Sequence, residues 1–142
     1  MQTARILFKQ LRIISKPDLR EINFGVLEGL KHEEIVEKCA DTYKKWLKDP
    51  FKNNILNAEP MDVFKKRVDN AIWNIVRCNP GKTIAVVCHG GVIGIFLKGI
   101  LKSKNFWRYV PSPASVTMVE YKEYKPILRK FNDTAHLKVK NE

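Results

Sequence analysis

No apolar run in this chain of 142 residues is long enough to cross a bilayer; the longest, around residues 92–101, is interrupted by Gly94, Lys98 and Gly99. The opening residues lack the uninterrupted apolar core of a secretory signal, because Arg5, Lys9 and Arg12 break it up. No membrane association is expected, and the chain reads as cytoplasmic. Cysteine is scarce. Cys39, Cys78 and Cys88 are odd in number, far apart and without CxxC spacing, which leaves reduced, buried thiols as the expectation. The three histidines, His32, His89 and His136, are not spaced as ligand pairs with those cysteines, so no metal is expected.

Acidic residues are also few: 15 against 26 Lys and Arg, a net charge of +11. Such a surface favours anions of any kind, including phosphorylated metabolites, nucleic acid and membrane headgroups. The lysines are scattered through Lys44-Lys45, Lys65-Lys66, Lys102 and Lys104, without an aromatic- or glycine-rich recognition stretch. A solvated basic face is favoured over specific nucleic-acid binding.

What is present suits one compact domain with a real core, 44% hydrophobic by composition. Residues 2–11 read as a helix, and Ile13-Ile14 as a short strand ended by Lys16-Pro17. Residues 18–29 are irregular. A helix is expected from about Lys31 to Lys48, stopped by Asp49-Pro50, and a second from Met61 to Cys78, stopped by Asn79-Pro80-Gly81. Residues 83–88 are continuously apolar and β-branched, as in a buried parallel strand. A third helix covers residues 92–101. Residues 115–121 and 127–131 read as two short strands that pair as an antiparallel hairpin. Strands alternating with helices predict an α/β fold, mostly parallel with one antiparallel edge.

At residues 83–97 the apolar run ends in His89, then Gly90 and Gly91, then a helix pattern. One reading is an anion site, with the open helix N-terminus and close backbone approach at the glycines attracting a phosphate. The other is an ordinary strand-to-helix turn in which the glycines serve only the bend.

Three segments resemble a known family. They are Leu19-Arg20-Glu21-Ile22-Asn23-Phe24-Gly25-Val26-Leu27-Glu28-Gly29, Val87-Cys88-His89-Gly90-Gly91-Val92-Ile93 and Asn132-Asp133-Thr134-Ala135-His136-Leu137. In this order they resemble the histidine phosphatase superfamily, which includes the cofactor-dependent phosphoglycerate mutases. Glu59 followed by Arg67 is a weaker match to its GES-to-Arg segment. The resemblance implies a phosphoglycerate mutase-like three-layer α/β/α fold with a mostly parallel sheet. It also implies phosphoryl transfer through phosphohistidine, without metal or organic cofactor.

Carried over by the resemblance, His89 is the second histidine, which holds a phosphoryl oxygen beside the Gly90 N–H. Glu21 is the acid that protonates the leaving oxygen, a task for a carboxyl that keeps its proton near a dianionic substrate. From the residues alone Glu21 is a surface carboxylate paired with Arg20 or a lysine. Glu28 is expected to cap or orient the following helix, and His32 and His136 to lie on the surface.

The family's attacking histidine stands in an Arg-His-Gly triplet on the opening strand, and this sequence has no such triplet. Met1-Gln2-Thr3-Ala4 resembles the interior of a family motif that follows that strand. Residues 1–142 are therefore expected to be one partial domain missing its opening strand, through an internal start or a real shortening. Residues 83–88 would then lose a neighbour and re-pair, dimerise through an exposed sheet edge, or leave the chain marginally stable. The expected function is a phosphatase acting on a small phosphorylated metabolite in its full-length form. The alternative is an inactive domain that binds phosphorylated ligands or a protein partner. A basic nucleic-acid module is the remote third reading.

Overall fold

The computed structural model describes residues 2–138. Four α-helices and one β-hairpin build it. They are α1 (Gln2–Leu7), α2 (His32–Lys48), α3 (Met61–Arg77), α4 (Gly90–Ile100), β1 (Val116–Lys122) and β2 (Lys125–Asp133), joined by short 3-10 turns.

The helix α3 carries the core. Met61, Phe64, Val68 and Ala71 fall at helical spacing and are buried against Val92 and Ile95 of α4. Leu19 and Ile22, from the irregular segment before α2, join the same cluster. A second cluster gathers Leu27, Trp46 and Ile55, and Phe24 and Trp107 pack against both. As expected from its apolar pattern, α4 buries Val92, Ile95 and Leu97. It starts two residues earlier than predicted, so both glycines lie in its first turn. Gly94 allows the 106–110 segment to close on α4, since a Cβ there would come within 2.9 Å of Val110.

The predicted hairpin forms, with Val116 opposite Asp133 and Lys122 opposite Lys125. Glu123 and Tyr124 make the two-residue turn, both at positive φ (48° and 62°), the twist that suits a tight hairpin. Tyr124 rests on Trp73 of α3, ring centroids 5.5 Å apart, which ties the hairpin tip to the helices.

Several expectations are not met among the described residues. The helix α1 ends at Leu7 rather than residue 11, and Ile13-Ile14 form no strand. The mostly parallel sheet does not form among the described residues, where the single ladder is antiparallel, β1 with β2. Residues 83–88 neither re-pair nor bury themselves. They make no backbone hydrogen bond among the described residues, and Ile84, Val86 and Val87 stay 40–44% exposed. The reason is physical: an apolar β-branched run becomes a buried strand only when a neighbouring strand takes its backbone groups. The cysteines also differ from expectation. Cys39 and Cys88 are half-buried, but Cys78 is exposed at the end of α3.

Candidate active site

The site begins with the chain segment that carries Glu21. A 3-10 turn at Pro17–Leu19 drops Leu19 into the core, and buried Ile22 pins the other side. Between these anchors the backbone is held by Arg67 of α3. Its Nη1 donates to the carbonyls of Asp18 and Arg20, both at 2.8 Å, and its Nη2 to the carbonyl of Glu21 at 3.1 Å. The remaining donors, Nε and Nη2, grip both oxygens of Glu59 at 2.6 and 2.7 Å. Every N–H of the guanidinium is thus spent, in a fork geometry that only arginine offers. The pair is largely withdrawn from water, with side-chain exposures of 11% and 9%. Hydrogen bonding from Arg67 holds the Glu59 carboxyl below the ordinary carboxylate range, against the opposing effect of burial. Glu59 also ties back through its own N–H, which donates to the Asn23 carbonyl at 2.9 Å.

So placed, the Glu21 carboxylate reaches the first turn of α4. One oxygen accepts the N–H of Ile22 and the other the N–H of Gly91, both at 3.0 Å. The contact demands glycine. A Cβ at position 91 would lie 2.9 Å from the Glu21 carboxyl carbon. A carboxylate at this end of a helix meets unpaired N–H groups and the positive end of the dipole. It also shows that an oxyanion fits there. His89 is the residue before the helix, in extended conformation, with its side chain exposed. Neither its ring nor the Gly90 N–H has a hydrogen-bond partner among the described residues. The structure therefore brings Glu21, Gly90 and Gly91 together around one pocket; His89 precedes Gly90 in the chain but does not line that pocket.

Cys88, next to His89, is affected by the same carboxylate. Burial pushes its thiol up to about 11, and the Glu21 charge adds to the rise. The residue-level expectation of an ion pair at Glu21 is not met, since its oxygens go to backbone N–H groups. Glu28 does not serve α2 either. Its Oε1 accepts the Phe24 N–H at 2.6 Å, while Glu34 accepts the N–H of Lys31 at the start of α2. His32 and His136 are exposed, as expected. The clamping role of Arg67 was not foreseen. Its signal was the Glu59-to-Arg67 spacing, which placed a carboxylate just ahead of α3 and a guanidinium about two helical turns along it.

In this arrangement a carboxylate packs on a glycine-opened helix N-terminus with a histidine at its cap, on a frame of helices and a β-hairpin. The chain belongs to the histidine phosphatase superfamily (branch 1), whose family model matches residues 1–134. It is similar to phosphoserine phosphatase 1 of Hydrogenobacter thermophilus, 26% identical over 132 residues, covering 91% of this chain and 62% of that protein. It is also similar to the metal-independent phosphoserine phosphatase of Arabidopsis thaliana, 29% identical over 126 residues and covering 88% and 52%. Among solved structures, Bacillus stearothermophilus YhfR superposes with a TM-score of 0.84 at 24% identity, over 96% of this chain and 70% of that one. The chain spans less than two thirds of the length of these two phosphoserine phosphatases.

Proposed function

We propose that this chain supplies the phosphoryl-holding and acid half of a histidine phosphatase site, serving the hydrolysis of a small phosphomonoester. The observation that carries this reading is the Glu21 carboxylate hydrogen-bonded to the Gly91 N–H beside the His89 cap. In this reading a histidine nitrogen attacks phosphorus and the phosphorus–oxygen ester bond breaks. The bond's electrons go to the leaving oxygen, which takes the proton of the Glu21 carboxyl. Water then attacks the phosphohistidine, returning its proton through Glu21 and releasing phosphate. His89 and the Gly90 N–H hold the phosphoryl oxygens throughout, so the work is positioning and charge stabilisation. The attacking histidine is not assigned to His32 or His136, which lie exposed away from an Arg-His-Gly context.

The phosphoserine phosphatases it resembles support a small phosphorylated metabolite as substrate. No helix of the described residues is long and apolar enough to cross a membrane, and a cytoplasmic setting with reduced thiols belongs to the same reading. So does a mostly parallel sheet completed along residues 83–88, by another strand or by a second copy of the chain. The backbone groups left free on that segment support it.

Calorimetric titration with inorganic phosphate tests the reading. His89→Ala should weaken binding at least tenfold. Glu21→Gln should strengthen it severalfold, because a carboxylate no longer faces the incoming dianion. Affinity indifferent to both substitutions would overturn it.

A further inference from the structure

A pocket of about 190 Å³ adjoins the Glu21 carboxylate and opens beside Gly90 and Gly91. Its walls are Phe24, Trp46, Met61, Phe106, Trp107 and Val110, and Glu21 is the single ionisable residue lining it. The aromatic rings brace one another. Trp46 and Trp107 meet edge to face at 5.0 Å, and Phe106 lies 4.8 Å from Trp107. Such a wall is rigid and apolar, suited to a flat hydrophobic group.

We propose that this pocket receives the alcohol portion of the phosphomonoester, and that this portion is an apolar, ring-sized group. The inference rests on the reading of Glu21, His89 and Gly90 as the phosphoryl site. Their placement gives the ester its direction. Phosphorus sits at the α4 N-terminus, the bridging oxygen meets Glu21, and the organic group continues into the aromatic pocket. An amino acid such as serine fits this wall poorly. Its ammonium and carboxylate would both be desolvated, with no basic residue lining the pocket to meet the carboxylate.

Calorimetric titration of the chain with phenyl phosphate, O-phosphoserine and inorganic phosphate tests the proposal. Phenyl phosphate should bind at least tenfold more tightly than phosphoserine or phosphate. Phosphate binding that depends on His89, without any aryl preference, overturns the pocket and leaves the phosphoryl site standing. Benzyl alcohol that quenches tryptophan fluorescence without measurable phosphate binding supports the pocket and overturns the phosphoryl site. Binding of none of these ligands overturns both.

Discussion

Arg67 and Glu59 decide where Glu21 sits. The guanidinium fixes the backbone carbonyls of Asp18, Arg20 and Glu21, so its loss loosens the acid as well as the core. Arg67→Ala also leaves Glu59 buried without its partner, and unfolding titrations should show a loss of about 3–5 kcal/mol. The pair carries a pH signature. The folded-state pKa of Glu59 is depressed, so its contribution is complete above the ordinary carboxylate value and is lost as pH falls through the folded value. The urea midpoint should therefore drop below about pH 4.3 in the unsubstituted chain. Glu59→Gln should flatten that drop; parallel pH curves would refute the linkage. The cysteines report on the same site. Mass spectrometry after iodoacetamide at pH 8 should find Cys78 modified first, because it is exposed. Cys88 should resist, its thiol pushed up to about 11 by burial and by Glu21, and Glu21→Gln should speed its modification.

Among the elements, α2, α3, the hairpin and the apolar character of α4 were legible from the sequence, because each carries its own period and its own stops. The ends of α2 at Asp49-Pro50 and of α3 at Asn79-Pro80-Gly81 are local chemistry, and local chemistry is what a sequence displays. The segment 83–88 was read as a buried strand for the same reason, and there the local signal misled. Its apolar side chains favour burial, but a ladder needs a second strand, which periodicity within the segment does not report. The site was legible where resemblance pointed to Glu21, His89 and Gly90. Arg67 reaches its partners across 46 to 49 residues, a distance that no local pattern spans. Hydrogen exchange tests the element-scale picture directly. Amides at residues 84–88 should exchange without measurable protection, whereas those around Phe64 and Val68 in α3 should be among the slowest. Strong protection at residues 84–88 in dilute solution would mean that another strand covers them; protection that grows with protein concentration would identify a second copy.

Across the whole molecule, a net charge of +11 draws every anion toward the surface, so weak, diffuse phosphate binding is expected in any case. What distinguishes the proposed site is the glycine-opened start of α4, where the Glu21 carboxylate already demonstrates that an oxyanion fits. Raising the ionic strength screens the lysines far more than it screens a site built from oriented backbone N–H groups. The most direct measurement is therefore an amide-resolved NMR titration with inorganic phosphate at 0.15 M salt. The account predicts saturable shifts centred on Gly90, Gly91 and Ile22 that disappear in His89→Ala. Shifts spread evenly over the lysine-rich surface, or unchanged by that substitution, would contradict it.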